Sequence, residues 1–204
     1  MCAEYRFNPP LLEEQVRQLR LGDTVYLDGD LVIMAGNPTF ERLLGYVKKG
    51  EDLPVDLKDA VVFNGPNVHH KAGDSYEMDY VGVTSSIRFE QYMPELIRKC
   101  GVRAVVGKGG LGEKSLKAMK EVGCVYLAVL GGATPLLSPA IKEVTSVHWL
   151  DLIHQYRLIT VRVEGFGPAT VAMDCYGNST YENIVAAAEK KLPKILKSLS
   201  DFCR

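Results

Sequence analysis

The chain has 204 residues, 47% apolar and 24% charged, with a net charge of −1. That length buries a core without disulfides or a structural metal. The near-zero charge excludes a broad attraction to nucleic acid or anionic lipid, so any anion site must be local.

Residues 10–20 predict a short helix ending near Gly22. Residues 24–27 and 31–34 alternate as strands around Asp28-Gly29, a two-residue hairpin signal. Asn37 followed by Pro38 reads as a cap and first helical position, opening a helix to about Tyr46. Residues 60–64 and 75–83 read as strands, the second preceded by a turn at Gly73-Asp74. Residues 87–100 then form a helix stopped by Gly101. Strand 104–106, helix 114–122 and strand 125–130 make a parallel βαβ unit. A helical stretch follows Gly131-Gly132. Strands 158–163 and 169–173 come next, joined as a hairpin at 165–168, and helix 181–199 closes the chain, interrupted at Pro193. No repeat or linker divides the sequence. The expectation is one mixed α/β domain over residues 1–204, combining hairpins with a parallel unit.

Two loops carry the chemistry. The first is Gly82-Val83-Thr84-Ser85-Ser86-Ile87-Arg88, at a predicted strand-to-helix junction. Its hydroxyls suit helix capping. They equally suit an anion pocket, with Arg88 one turn inside to grip a carboxylate. The second is Gly107-Lys108-Gly109-Gly110-Leu111-Gly112, directly after a strand. It fits either a plain turn with a solvated lysine or a close backbone approach to a ligand with Lys108 as its cation. The phosphate-loop pattern fails, because Gly109 follows the lysine where Ser or Thr is required, and the dinucleotide spacing fails as well. Loops at the carboxyl ends of neighbouring strands are the usual ligand position in an α/β sheet. Together they point to a small carboxylate.

The adjacent His69 and His70 read as a solvated pair in a polar turn, and residues 174–178 as a turn after a strand. Five dispersed cysteines, without a C-x-x-C pair, suit a reducing compartment and give no metal-site spacing. No leader-like apolar segment opens the chain, and no run reaches the roughly 18 apolar residues of a membrane helix. The expectation is a soluble cytoplasmic protein that binds no metal itself.

On these motifs the sequence resembles the β subunit, or fused C-terminal domain, of class I fumarases and L-tartrate dehydratases. The matching stretches, in order, are Phe63-Asn64-Gly65-Pro66, the 82–88 loop, Gly107-Lys108-Gly109-Gly110, Gly131-Gly132-Ala133 and Glu164-Gly165-Phe166-Gly167-Pro168. The glycine-loop wording and Val147-His148-Trp149 resemble the tartrate branch more closely. The resemblance implies a swivelling β/β/α domain in a hetero-oligomer. Its larger α subunit would carry a 4Fe-4S cluster, and the activity would be a hydro-lyase one on a dicarboxylic 2-hydroxy acid, fumarate/malate first and tartrate second. It further implies Thr84 as catalytic base, with Arg88 and Lys108 as substrate-carboxylate ligands. One departure stands out. Where the family carries a substrate-binding arginine after the first hairpin, this chain has Ala35-Gly36. That leaves room for a different hydroxy acid, or for a non-catalytic assembly subunit.

Overall fold

The computed structural model describes residues 2–202. Nine strands and five α-helices follow in the order β1 (Glu4–Phe7), α1 (Glu13–Val16), β2 (Thr24–Met34), α2 (Asn37–Lys49), β3 (Val61–Asn64), β4 (Asn67–Ala72), β5 (Ser75–Val81), α3 (Met93–Cys100), β6 (Ala104–Gly107), α4 (Glu113–Val122), β7 (Val125–Ala128), β8 (Ile141–His148), β9 (Leu158–Met173) and α5 (Thr180–Phe202). Short 3-10 segments cover Ser86–Phe89, Gly131–Ala140 and His154–Tyr156. The result is a mixed α/β architecture.

The main sheet runs β1-β2-β3-β6-β7-β9-β8, and β9 pairs with β2 as well, which closes strands β2, β3, β6, β7 and β9 into a ring. Strands β1, β2, β3, β6 and β7 are parallel, while β9 runs antiparallel to β2, β7 and β8. Alternation along each strand then builds two cores. Leu27, Ile33, Phe63, Val106, Leu127 and Phe166 fill the ring, where Phe63 and Phe166 meet edge to face at 5.6 Å. Met34, Val62, Val105 and Tyr126 face the other way, against Phe40 of α2, Leu96 of α3 and Met119 of α4. Burial on both faces is why β3, β6 and β7 read as continuous apolar runs.

Several sequence expectations are corrected. Asp28-Gly29 is not a hairpin turn, and β2 is one strand of 11 residues. Residues 165–168 likewise lie within the 16-residue β9. The two irregular points face each other: the β2–β9 register shifts between Leu27 and Gly29, and Asp28 Oδ1 accepts the Gly165 N–H at 2.7 Å. Turn-type residues here make a matched pair of bulges. The helix expected at 87–100 breaks into the 3-10 turn Ser86–Phe89 and α3, with Pro94 in the first turn of α3, where its missing N–H costs nothing. The helix expected at 10–20 shrinks to four residues, and β1, β4 and β8 lie outside the predicted strands. Helix α2 is capped by Gly36 rather than Asn37. The parallel unit β6-α4-β7 stands as expected, with Gly123 in the left-handed conformation ending α4.

Candidate functional site

The four parallel strands of the ring, β2, β3, β6 and β7, all finish at one end of it. Met34 leads to Ala35-Gly36 and α2; Asn64 leads through the β4–β5 hairpin to residues 82–89. Gly107 leads to the glycine loop and Ala128 to the 131–140 segment. Strands β3 and β6 pair as far as Phe63 and Val106, and there the returning 84–86 segment enters between them. Thr84 N donates to Asn64 O at 3.4 Å, Ser86 N donates to Lys108 O at 2.9 Å, and Ser85 pairs with Lys108 as a parallel bridge. The two loops singled out in the sequence are thus spliced together by backbone hydrogen bonds.

This splice needs Gly65 and Gly107. A Cβ on Gly65 would sit 2.0 Å from Gly82 O, and one on Gly107 would sit 2.1 Å from Ser86 Oγ and 2.7 Å from the Tyr126 hydroxyl. The buried Tyr126 hydroxyl is 2.9 Å from Ser86 Oγ. Burial pushes its pKa up, opposed by the bonds from Ser86 and the Gly110 backbone. Tyr181, at the root of α5, packs on Gly110 and receives backbone bonds from Gly109 and Gly110. Two phenols therefore fasten the loop that presents Lys108.

Thr84 and Lys108 are both half-buried, and Arg88 is exposed. The Lys108 side chain lies against Gly131, whose Cβ position is 3.4 Å from Nζ. Arg88 stands apart. With Ile87, Glu90, Gln91, Gly112, Glu113 and Lys114 it lines a hollow of about 530 Å³ that neither Thr84 nor Lys108 reaches. The 82–88 hydroxyls do not cap a helix, since Ser86–Phe89 is one 3-10 turn without a side-chain cap. No helix dipole therefore acts there, and the anion-pocket reading rests on side chains and single N–H groups. Glu90 does the capping instead, accepting bonds from Gly112 N at 2.8 Å, Ser115 N at 3.0 Å and Ser115 Oγ at 2.6 Å. It ties the end of the first loop to the start of α4.

A corner beside the site escaped the sequence. His69 is not solvated: it is 1% exposed, with Nδ1 2.7 Å from Asn67 Oδ1 and Nε2 3.3 Å from Arg157 Nη1. A guanidinium only donates, so Nε2 accepts and Nδ1 carries the proton of a neutral ring. Burial, then the neighbouring His154 and Arg157, push the His69 pKa down to about 4, against a smaller opposing pull from Asp79. Tyr156, next to Arg157, covers Gly36, where a Cβ would sit 2.4 Å from its ring. Below about pH 6.5 the unfolded histidine takes up a proton that the folded one refuses until about pH 4. Stability should thus be fully present above that window and fall as pH drops through it, by about 3 kcal/mol in all. Urea unfolding at pH 7 and pH 4.5 checks this, and His69→Gln should flatten the difference. Equal pH slopes for parent and variant would refute it.

Among the described residues, no group of three or more His, Cys, Asp or Glu comes together to hold a metal. The described cysteines are unbridged, and burial raises the Cys100 thiol to about 11. No described helix is long and apolar enough to cross a membrane.

The chain built on this closed mixed barrel belongs to the family of the fumarase C-terminus. The family model described as Fumarase C-terminus matches residues 3–184. A protein of Methanocaldococcus jannaschii, provisionally named L(+)-tartrate dehydratase subunit beta, is 34% identical over 194 residues, 95% of this chain and 98% of the relative. The L(+)-tartrate dehydratase subunit beta of Escherichia coli is 33% identical over 185 residues, 90% of each chain. A Geobacillus stearothermophilus protein, provisionally named fumarate hydratase class I, is 37% identical over 184 residues, which is 90% of this chain but 34% of that longer relative.

Proposed function

We propose that this chain is the β subunit of a hydro-lyase that reversibly adds or removes water on a dicarboxylic 2-hydroxy acid, fumarate/malate or tartrate. The observation that supports the reading is the backbone splice of the 84–86 segment to Lys108, which brings the hydroxyl loop and the lysine loop together at one end of the ring. Relatives with both names support the reaction class. Taking a proton from the carbon beside a carboxylate loads that carboxylate with charge, which a positioned cation stabilises as it develops. In this reading Lys108 supplies that cation and Thr84 takes the proton; Arg88, which the family motif would assign to a substrate carboxylate, lines a separate hollow in this chain and takes no part at that corner. A threonine is a weak base alone, so in this reading a positive charge beside it must favour its ionised form.

The 4Fe-4S cofactor belongs, in this reading, to the α subunit, since the described residues here offer no ligand group for it. A hetero-oligomer follows, and unbridged cysteines suit a cytoplasmic location. Tyr156 packed over Gly36 leaves no space there for a longer side chain, so no arginine at that position grips a substrate carboxylate. Anaerobic reconstitution with the α subunit, followed by separate assays on fumarate, malate and tartrate, tests the proposal. Turnover of one of the three is expected. Binding of all three by calorimetry with turnover of none would establish the non-catalytic alternative.

A further inference from the structure

A second cleft, of about 580 Å³, opens on the helix side of the sheet, and neither Thr84 nor Lys108 lines it. Its floor follows from strand register. Val32 of β2 pairs with Thr160 of β9, and Thr160 pairs with Ser146 of β8. Two residues along, His148 pairs with Leu158. Opposed residues share a face, and Val32 and Leu158 belong to the helix-side core. Thr160, Ser146 and His148 therefore point to that side as well. The 54–60 segment, with Pro9 and Pro10, walls the cleft. Its volume is that of a small-molecule site.

Two features say that something belongs in it. His148 Nε2 is buried without a hydrogen-bond partner. The three other such side-chain atoms among the described residues belong to Asn64 and Asn67, where β3 ends and β4 begins. A buried polar atom left open is costly, so its position calls for a partner that the chain does not supply. The second feature is charge. Asp30 is paired with Arg162 at 3.0 Å, and Asp56 Oδ1 accepts the Lys58 N–H at 2.9 Å. The Lys58 ammonium, by contrast, makes no ion pair among the described residues.

We infer that this cleft is a second binding site, for a small carboxylate carried on an apolar ring. Lys58 takes the carboxylate. The apolar body lies on Val32 and on the rings of Pro9, Pro10 and Pro54, rigid C–H surfaces that ask for no hydrogen bond. Ser146, Thr160 and His148 supply the donors and acceptors of the floor. A dicarboxylate of the kind proposed for the spliced loops suits the cleft poorly, because its second charge would meet Asp30 and Asp56.

The test is a titration of the isotope-labelled full chain with benzoate, followed by amide NMR. Benzamide, which lacks the charge, and acetate, which lacks the ring, serve as controls. Benzoate should shift the amides of Val32, Ser146, His148 and Thr160 saturably, with half-saturation at about 1 mM or below. Each control should bind at least about 10-fold more weakly. Lys58→Met should bring benzoate to the benzamide level and leave benzamide unchanged. Because Lys58 is exposed, that variant should keep the parent's unfolding midpoint. Ser146→Phe fills the cleft and should abolish binding of both ring compounds; where it also lowers the midpoint, Lys58→Met still decides. Shifts that never saturate, equal affinities for benzoate and benzamide, or shifts gathered around Lys108 instead would each overturn the inference.

Discussion

Lys108→Ala in the reconstituted enzyme is expected to lower kcat by about 10²–10³-fold, the usual cost of removing one donor aimed at developing charge. The loss should fall mainly on kcat. In the proposed reaction the carboxylate gains its extra negative charge only as the proton leaves, so the ammonium counts for more at the transition state than in the bound substrate. Fold damage is not the expected cause. The backbone carbonyl of Lys108 bonds Ser86 whatever the side chain, and the stem lies along Gly131. Lys108→Arg should recover little. The guanidinium is bulkier than the ammonium it replaces and presents its charge as a planar fork rather than a point. Steady-state kinetics on the best substrate, with circular dichroism as the folding control, decide the matter. A few-fold change in kcat would remove Lys108 from the proposed mechanism.

What the sequence made legible follows from which signals are local. Strands β6 and β7 are buried on both faces, and Gly101 and Gly123 end the helices before them in the left-handed conformation, so apolar runs and stop residues marked them correctly. Asp28-Gly29 and residues 165–168 misled for a local reason too. Their composition is that of turns, but each irregularity is matched by its partner on the adjoining strand, a pairing 137 positions away in the chain that no window of sequence contains. His69 was misplaced because what buries it is non-local: Arg157 is 88 positions away. At the site, the glycine loop and the hydroxyl loop were each visible. Their splice was not, since it depends on the β4–β5 hairpin returning the chain between β3 and β6. Ser86 shows the consequence. Read as one of three interchangeable hydroxyls, it is instead the buried partner of Tyr126.

That pairing makes Gly107→Ala a strongly damaging single-methyl substitution. The added carbon would lie 2.1 Å from Ser86 Oγ and 2.7 Å from the Tyr126 hydroxyl, and both residues are fully buried, so neither can swing into solvent. Overpacking a tight interior costs about 1–3 kcal/mol. Separating the two hydroxyls leaves buried polar groups unpaired, at a further roughly 1–3 kcal/mol. A loss of about 4 kcal/mol is therefore expected in urea or guanidinium unfolding. Because Ser86 N is bonded to Lys108 O, the displacement also opens the splice and should depress turnover in whatever fraction stays folded. The steric origin can be isolated. Tyr126→Phe removes the hydroxyl, Ser86→Ala removes the oxygen, and the Tyr126 ring carbon that remains is 3.4 Å from the new methyl, an ordinary contact. The triple variant Gly107→Ala/Ser86→Ala/Tyr126→Phe should thus be more stable than Gly107→Ala alone, a coupling that additive costs cannot produce. If the triple variant is instead less stable than the single one, the damage at Gly107 comes from the backbone, and the Ser86–Tyr126 pair does not anchor the loop.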